Sequence, residues 1–256
     1  MGYEQEAFLG SGDLQIDVFN ENGERTGELD VGNATVFAIN APSLEKKEQT
    51  GMRRANYGQT IKSVITKIEQ ELKFTLTDIN RENLALAMFG EDSAYSQTAG
   101  NNTGSAESVT VHAGRWTKLS HRNLDSSSGN KPVVKNSAGT TTYDEGDDYE
   151  IDYQVGRIRP VAGGSISDGD ELKVECKWLA LTGGWKVAAQ KTNKIEAFIR
   201  LIGKDQANDR NCEVIVHRAS IEPSGDINWL TEDFAQLEFT GKILATADGT
   251  WDVIFY

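Results

Sequence analysis

Three groups of residues have types and spacings that chemistry could use. The first is the acidic run Asp144, Glu145, Asp147 and Asp148. Carboxylates are natural calcium ligands, but a calcium loop needs the D-x-[DN]-x-[DN]-G order that wraps oxygens around the ion. The order here, YDEGDDYEIDYQV, reads instead as a tight turn opening a strand at Tyr149. The second group is Glu69 with Glu71, two apart on one strand face. A retaining glycosidase needs two carboxyls about 5–5.5 Å apart across a cleft, a spacing that strand neighbours meet by accident. The third is the set Trp116, Trp178, Trp185, Trp229 and Trp251. They could form a sugar-stacking platform, or serve as core and strand-edge residues.

The remaining chemistry is sparse. His112, His121 and His217 lie in separate segments without metal-ligand spacing, and His217, next to Arg218 in an alternating strand, reads as a surface residue. There is no G-x-S-x-G elbow, P-loop or H-E-x-x-H pair. The residues therefore imply no catalytic site, no cofactor and no metal, and the chain reads as a non-enzyme. Cys176 and Cys212 are far apart and are expected as thiols in a reducing cytoplasm. Asn33 and Asn101 each begin an N-x-T triplet, which matters only in a secreted chain.

The elements that must position these residues are mostly strands. The stretch Ile68–Gly90 orders the rest. Ile68, Leu72, Phe74 and Leu76 are expected on one buried strand face, with Lys73, Thr75 and Thr77 opposite. The period then changes: Leu84, Ala87 and Met88 fall at helical spacing beside Leu86 and Phe89. Asn80 is the expected N-cap, Glu82 suits the first turn, and Gly90 is the expected C′ stop. One helix of roughly nine residues follows, about two and a half turns, and no other segment reads as helical.

Before it, Leu14, Ile16 and Val18 alternate, Asn22-Gly23 supplies a hairpin turn, and Ala34–Ile39 is a short strand. Ser43–Thr60 (SLEKKEQTGMRRANYGQT) has mixed charges and reads either as a mobile loop or as an arm reaching a neighbouring subunit. After the helix, 92–108 is rich in Ser, Asn, Thr and Gly and reads as a linker. Short strands from Thr110 to Trp178 suggest an inserted β module. Lys194–Ile202, Cys212–Ala219, Phe234–Thr240 and Trp251–Tyr256 read as strands of the main domain. The expected organisation is residues 1–107 as the first part of a core, with the arm at 43–60 and the helix at 80–90, then a module at 108–179, then the core again at 180–256.

Composition narrows the function. The chain has 256 residues and a net charge of −13, so its overall field repels nucleic acid. It has no apolar run long enough for a membrane span, and the acidic start MGYEQEAFLGSGD lacks a secretory h-region.

Four stretches together resemble the major tail tube protein of long-tailed, siphovirus-like bacteriophages. They are LKFTLTDINRENLALAMFG with the small-residue segment after it, YDEGDDYEIDYQVGRI, GGSISDGDELKVECKW, and DFAQLEFTGKILA followed by WDVIFY. The resemblance implies a mainly β fold, a β-sandwich or half-barrel with one short flanking helix, forming hexameric rings with a continuous inner β-barrel. Stacked rings would make a hollow tube through which DNA passes without specific binding. It also implies that the module at 108–179 lies on the outer surface and that 43–60 packs between rings. Glu45, Lys46, Lys47, Glu48, Met52, Arg53, Arg54 and Tyr57 would then be contacts. Leu72, Phe74 and Leu76 would pack under Leu84, Met88 and Phe89. The implied partners are other copies of the chain, a tape measure protein, and tail terminator and distal tail proteins. The location would be the tail of a virion assembled in the bacterial cytoplasm, with no membrane. The alternative is a β-sandwich module binding a carbohydrate or surface receptor through its aromatics. A hydrolase using Glu69 or Glu71 is a third reading.

Overall fold

The computed structural model describes residues 7–256. In chain order the elements begin with β1 (Gly10–Val18), β2 (Leu29–Asp30), β3 (Ala34–Ile39), β4 (Ser43–Thr50), β5 (Thr60–Glu69), β6 (Glu71–Leu76), α1 (Arg81–Ala87) and β7 (Glu91–Gln97). They continue with β8 (Gly100–Asn101), β9 (Glu107–Thr110), β10 (Thr117–Lys118), β11 (Val133–Asn136), β12 (Thr142–Tyr143), β13 (Tyr149–Asp152), β14 (Arg157–Pro160), β15 (Glu171–Glu175) and β16 (Lys177–Trp178). The last are β17 (Leu181–Ala188), β18 (Ile195–Asp205), β19 (Arg210–Pro223), β20 (Leu237–Ile243) and β21 (Trp251–Phe255). The fold is thus mainly β, with several antiparallel sheets and, among the described residues, one α-helix. Two compact units form: the described residues up to Ser93 together with Val187–Tyr256, and Ala94–Lys186.

The first unit is built on an eight-stranded sheet in the order β2-β1-β18-β19-β20-β6-β3, with β21 also on β19. Period-two alternation fills one face. Leu14, Ile16, Leu72, Phe74, Leu76, Ala197, Ile199, Leu237 and Phe239 are all buried in one core. Phe74 and Phe239 stand opposite each other in register, and their rings stack with centroids 4.7 Å apart. Burying each such side chain contributes about 1.5–3 kcal/mol, so this face holds the unit together. Strand β19 changes partner along its length. Its Cys212–Val216 part pairs with β21 and its Ala219–Pro223 part with β20. Between them His217 and Arg218 face the single residue Phe198 of β18, a β-bulge that bends the strand.

The helix sits where its cap places it. Asn80 Oδ1 accepts the Asn83 backbone N–H at 2.7 Å. Asn83 is itself buried and donates its amide to the Val31 and Asp78 carbonyls, each at 2.8 Å. Leu84 is buried, Leu86, Ala87 and Phe89 pack against the core, and Met88 is the half-buried C-cap. The helix covers 81–87, shorter than its pattern suggested. Its stop also differs. Phe89 takes the left-handed conformation (φ 47) expected of Gly90. The Gly90 and Phe89 N–H groups donate to the Ala85 and Leu86 carbonyls, closing a Schellman motif. Gly90 is required by space instead: a Cβ there would lie 2.8 Å from both the Ala188 oxygen and a Val187 methyl.

Two other sequence expectations are corrected. Ile68 is not on the buried face. It belongs to β5, which ends at Glu69 before β6 begins, and it is 66% exposed. The segment 92–108 is not a linker. It forms β7, β8 and the start of β9, which pair with β17, β16 and β15. Its small polar residues carry no apolar alternation, so only the distant partner strands define it.

The second unit has a three-stranded sheet (β10-β14-β13) and a four-stranded one (β12-β11-β15-β9). Tyr149 and Ile158 from the first meet Val134, Leu172 and Val174 from the second in one buried core with Val111, Leu119, Leu124 and Cys176.

Candidate assembly surfaces

The most unusual part of the first unit is the β4–β5 hairpin. Strands β3 and β6 pair within the sheet, and β4 and β5, which continue them, pair only with each other. The break falls at Asn40–Pro42 on one side and Gln70 on the other. Pro42 has no N–H to give a ladder. Asn40 Oδ1 takes the Glu71 N–H at 2.7 Å, and Gln70 is held by Trp251, whose Nε1–H donates to it at 2.9 Å. Beyond the break the arm runs from Ser43↔Glu69 to Thr50↔Thr60, with register shifts at two places. Every residue of β4, and of β5 up to Ile68, is exposed. The arm therefore extends to Glu69 and not only to Thr60.

Exposure on both faces is unusual because the arm is not polar throughout. Leu44, Ile61, Val64, Ile65 and Ile68 are all exposed along it. At the tip, Gly51 is buried because its backbone closes on the 53–59 turn: Gly51 N–H donates to Gln59 O at 2.7 Å and Gly58 N–H to Gly51 O at 2.9 Å. That ordered turn presents Met52 (77% exposed) and Tyr57 (72%) with Arg53 and Arg54. The segment 43–69 holds six basic residues (Lys46, Lys47, Arg53, Arg54, Lys62, Lys67) and three acidic ones (Glu45, Glu48, Glu69) in a chain of net charge −13. Lys67 pairs with Glu69 at 2.6 Å and Glu45 at 4.0 Å. Among the described residues Lys46, Lys47, Arg53, Arg54 and Lys62 make no ion pair.

Two further exposed surfaces were not singled out from the sequence. Residues 224–236, between β19 and β20, are anchored by the Ser224 N–H on Glu238 O and by Ile227 against the core. They then expose Trp229, Leu230 (97%) and Phe234 (93%). Phe234 lies outside the strand it was expected to open. The readable signal was an apolar cluster without alternation beside Asp226, Glu232 and Asp233. The last strand, β21, is the second: Val253, Ile254, Phe255 and Tyr256 are exposed beside its single partner β19.

The residues considered for chemistry are committed elsewhere. Glu69 is bonded by Lys67, which holds its carboxyl below the usual range, and lies 3.6 Å from Lys242. That disfavours the protonated form a general acid needs. Glu71 begins the next strand. In the acidic run, Asp148 accepts the Asp144 and Ser165 N–H groups, and Glu145 takes the Tyr153 hydroxyl at 2.8 Å and Lys131 at 2.9 Å. These are turn contacts. Among the described residues no group of three His, Cys, Asp or Glu is placed to hold a metal ion. His112 lies 3.3 Å from Asp168, His121 stacks on Trp178 at 3.5 Å, and His217 is half-buried, 3.0 Å from Asp252, not on the open surface. Arg157 and Arg159 sit over the Trp116 ring, and Trp251 is half-buried, which leaves Trp185 and Trp229 as exposed tryptophans with no such partner among the described residues. A cleft of about 550 Å3 beside α1 is lined by Ile16, Val18, Leu29, Leu86 and Ile195, with Lys194, Glu196 and Arg218 among its polar residues. Glu196 is ion-paired to both Lys194 and Arg218, and Glu82 and Asp92, also in the lining, are paired with Arg81. Among the described residues no helix is long and apolar enough to cross a membrane.

No curated protein matches the sequence. A family model matches residues 7–252, nearly the whole chain, and the chain belongs to that family, described as Protein of unknown function UCP028589.

Proposed function

We propose that this protein is a structural subunit that assembles with copies of itself into the hollow tail tube of a long-tailed bacteriophage. The carrying observation is the 43–69 arm. A lone two-stranded hairpin is marginal in water, and this one exposes apolar residues on both faces. A surface of that kind is stable when another chain covers it. The resemblance to tail tube proteins supplies the form of the assembly. Six copies form a ring, strand edges pair across subunits into a continuous inner barrel, and rings stack through the arm with Met52, Arg53, Arg54 and Tyr57 as contacts. Residues 94–186 form an inserted module on the outside of the tube. Tape measure, tail terminator and distal tail proteins are its partners, and DNA crosses the lumen without specific binding. The surplus of negative charge favours such passage, since repulsion acts within a Debye length of about 8 Å. The tail is non-contractile, because an outer module would crowd a sheath.

Negative-stain microscopy of the purified, concentrated protein tests this. Hollow tubes or stacked rings are expected. A persistent monomer that binds glycans would overturn the proposal, and a second concentric protein layer in virion density would overturn the non-contractile part.

A further inference from the structure

We infer that the basic arm of one copy docks on residues 224–236 of another copy. The inference rests on the assembly reading and names the acceptor surface that reading leaves open. The two segments are complementary in both of the ways that matter for association. Residues 224–236 carry Asp226, Glu232 and Asp233 and no Lys or Arg, an excess of three negative charges. The arm carries an excess of three positive charges. Among the described residues the three acids make no ion pair, and neither do Arg53, Arg54, Lys46, Lys47 and Lys62 on the arm. Each segment also exposes large apolar groups next to those charges: Trp229, Leu230 and Phe234 on one, Met52 and Tyr57 on the other. An apolar centre with charges at its rim is the usual anatomy of a protein interface, and aromatic and Arg residues are its usual anchors.

Donor and acceptor are different surfaces of the same chain. Their contact is heterologous, so each copy can give one arm and receive another, and the contact propagates through a ring or a stack. A single isologous dimer would leave the geometry closed after two copies.

The test uses the full chain. Arg53→Glu with Arg54→Glu should cut the sedimenting assembly by about tenfold or more, since it sets like charges against Glu232 and Asp233 across the interface. Glu232→Lys with Asp233→Lys should do the same, and the two pairs combined in one chain should restore assembly. A second measurement is independent of charge. A chain carrying Met52→Cys is mixed with one carrying Leu230→Cys and treated with a bis-maleimide linker. A covalent heterodimer is expected, while the wild-type chain gives none because Cys176 and Cys212 are buried. The inference falls if assembled protein yields no such heterodimer, or if Glu232→Lys with Asp233→Lys assembles as wild type does. A wild-type chain that stays monomeric overturns the assembly reading, and this docking with it.

Discussion

Asp17 is a buried carboxylate kept charged by its neighbours. It accepts hydrogen bonds from Arg25 Nε (2.7 Å), the Thr26 N–H (2.8 Å) and hydroxyl (3.2 Å), and the Gly27 N–H (2.9 Å). Burial, the largest single influence, pushes its pKa up, and the bonds from Arg25, Gly27 and Thr26 together outweigh it, leaving the value below 3.8. A depressed folded value means stability that is present above the unfolded value and lost as pH falls through the folded one. Asp17→Asn should therefore lower stability at pH 7 by about 2 kcal/mol, the usual scale for hydrogen bonds to a charged group, and flatten the acid side of the curve. Urea unfolding at pH 7 and at pH 3 checks both. Gly90→Ala should cost about 1–3 kcal/mol by overpacking against Ala188 and Val187, readable as a fall in melting temperature with an unchanged far-UV spectrum. The thiols give a third check. Burial pushes Cys176 up to about 11, and Cys212 is equally enclosed. A colorimetric thiol reagent should count no reactive cysteine in the native protein and both after denaturation.

The arm and the helix show which elements a single sequence reveals. The helix was legible because its cap is local: Asn80 and the Leu84–Phe89 spacing lie within one stretch, and no distant residue is needed to place the start. Its end was not, since Phe89 holds the left-handed position through packing against a core assembled from remote strands. At the arm tip, Met52, Arg53, Arg54 and Tyr57 stand out within a polar run, but composition left a mobile loop and an arm both open, because the strand pairing that decides between them is with 60–69. The arm's second strand was not legible. Ile61, Val64, Ile65 and Ile68 look like residues about to be buried, and period alone does not say whether the covering surface belongs to the same chain. The 224–236 surface was missed for the opposite reason, because Phe234 was absorbed into a strand that starts at Leu237. At this scale, replacing 44–68 by a short turn should leave the core's melting temperature within a degree or two of wild type, because no residue of the arm belongs to the buried cluster. The same variant should not sediment as an assembly. A large loss of stability would show that the arm supports its own fold.

For the molecule as a whole, the two units have separate cores. Residues 94–186 expressed alone should unfold in a single cooperative transition, as expected of a domain with its own core. The two chain crossings at its ends, β7 and β17, pair with each other. The sheet pairings place very different demands on the chain in time. In the first unit, Leu9 donates to Asp205 across 196 positions, and β6 waits for β20. The strands of the second unit all find partners within 94–186 or at its ends. Loop closure over long separations slows folding, and domains form as they leave the ribosome. We expect pulse-labelled hydrogen exchange to protect the amides of β11 and β15 before those of β1 and β18. The eight-stranded sheet then closes only after its last strands have been made. A nascent chain that has not yet released β18 and β20 therefore carries β1 and β6 each with an edge unpaired, a sheet waiting on strands far along the chain.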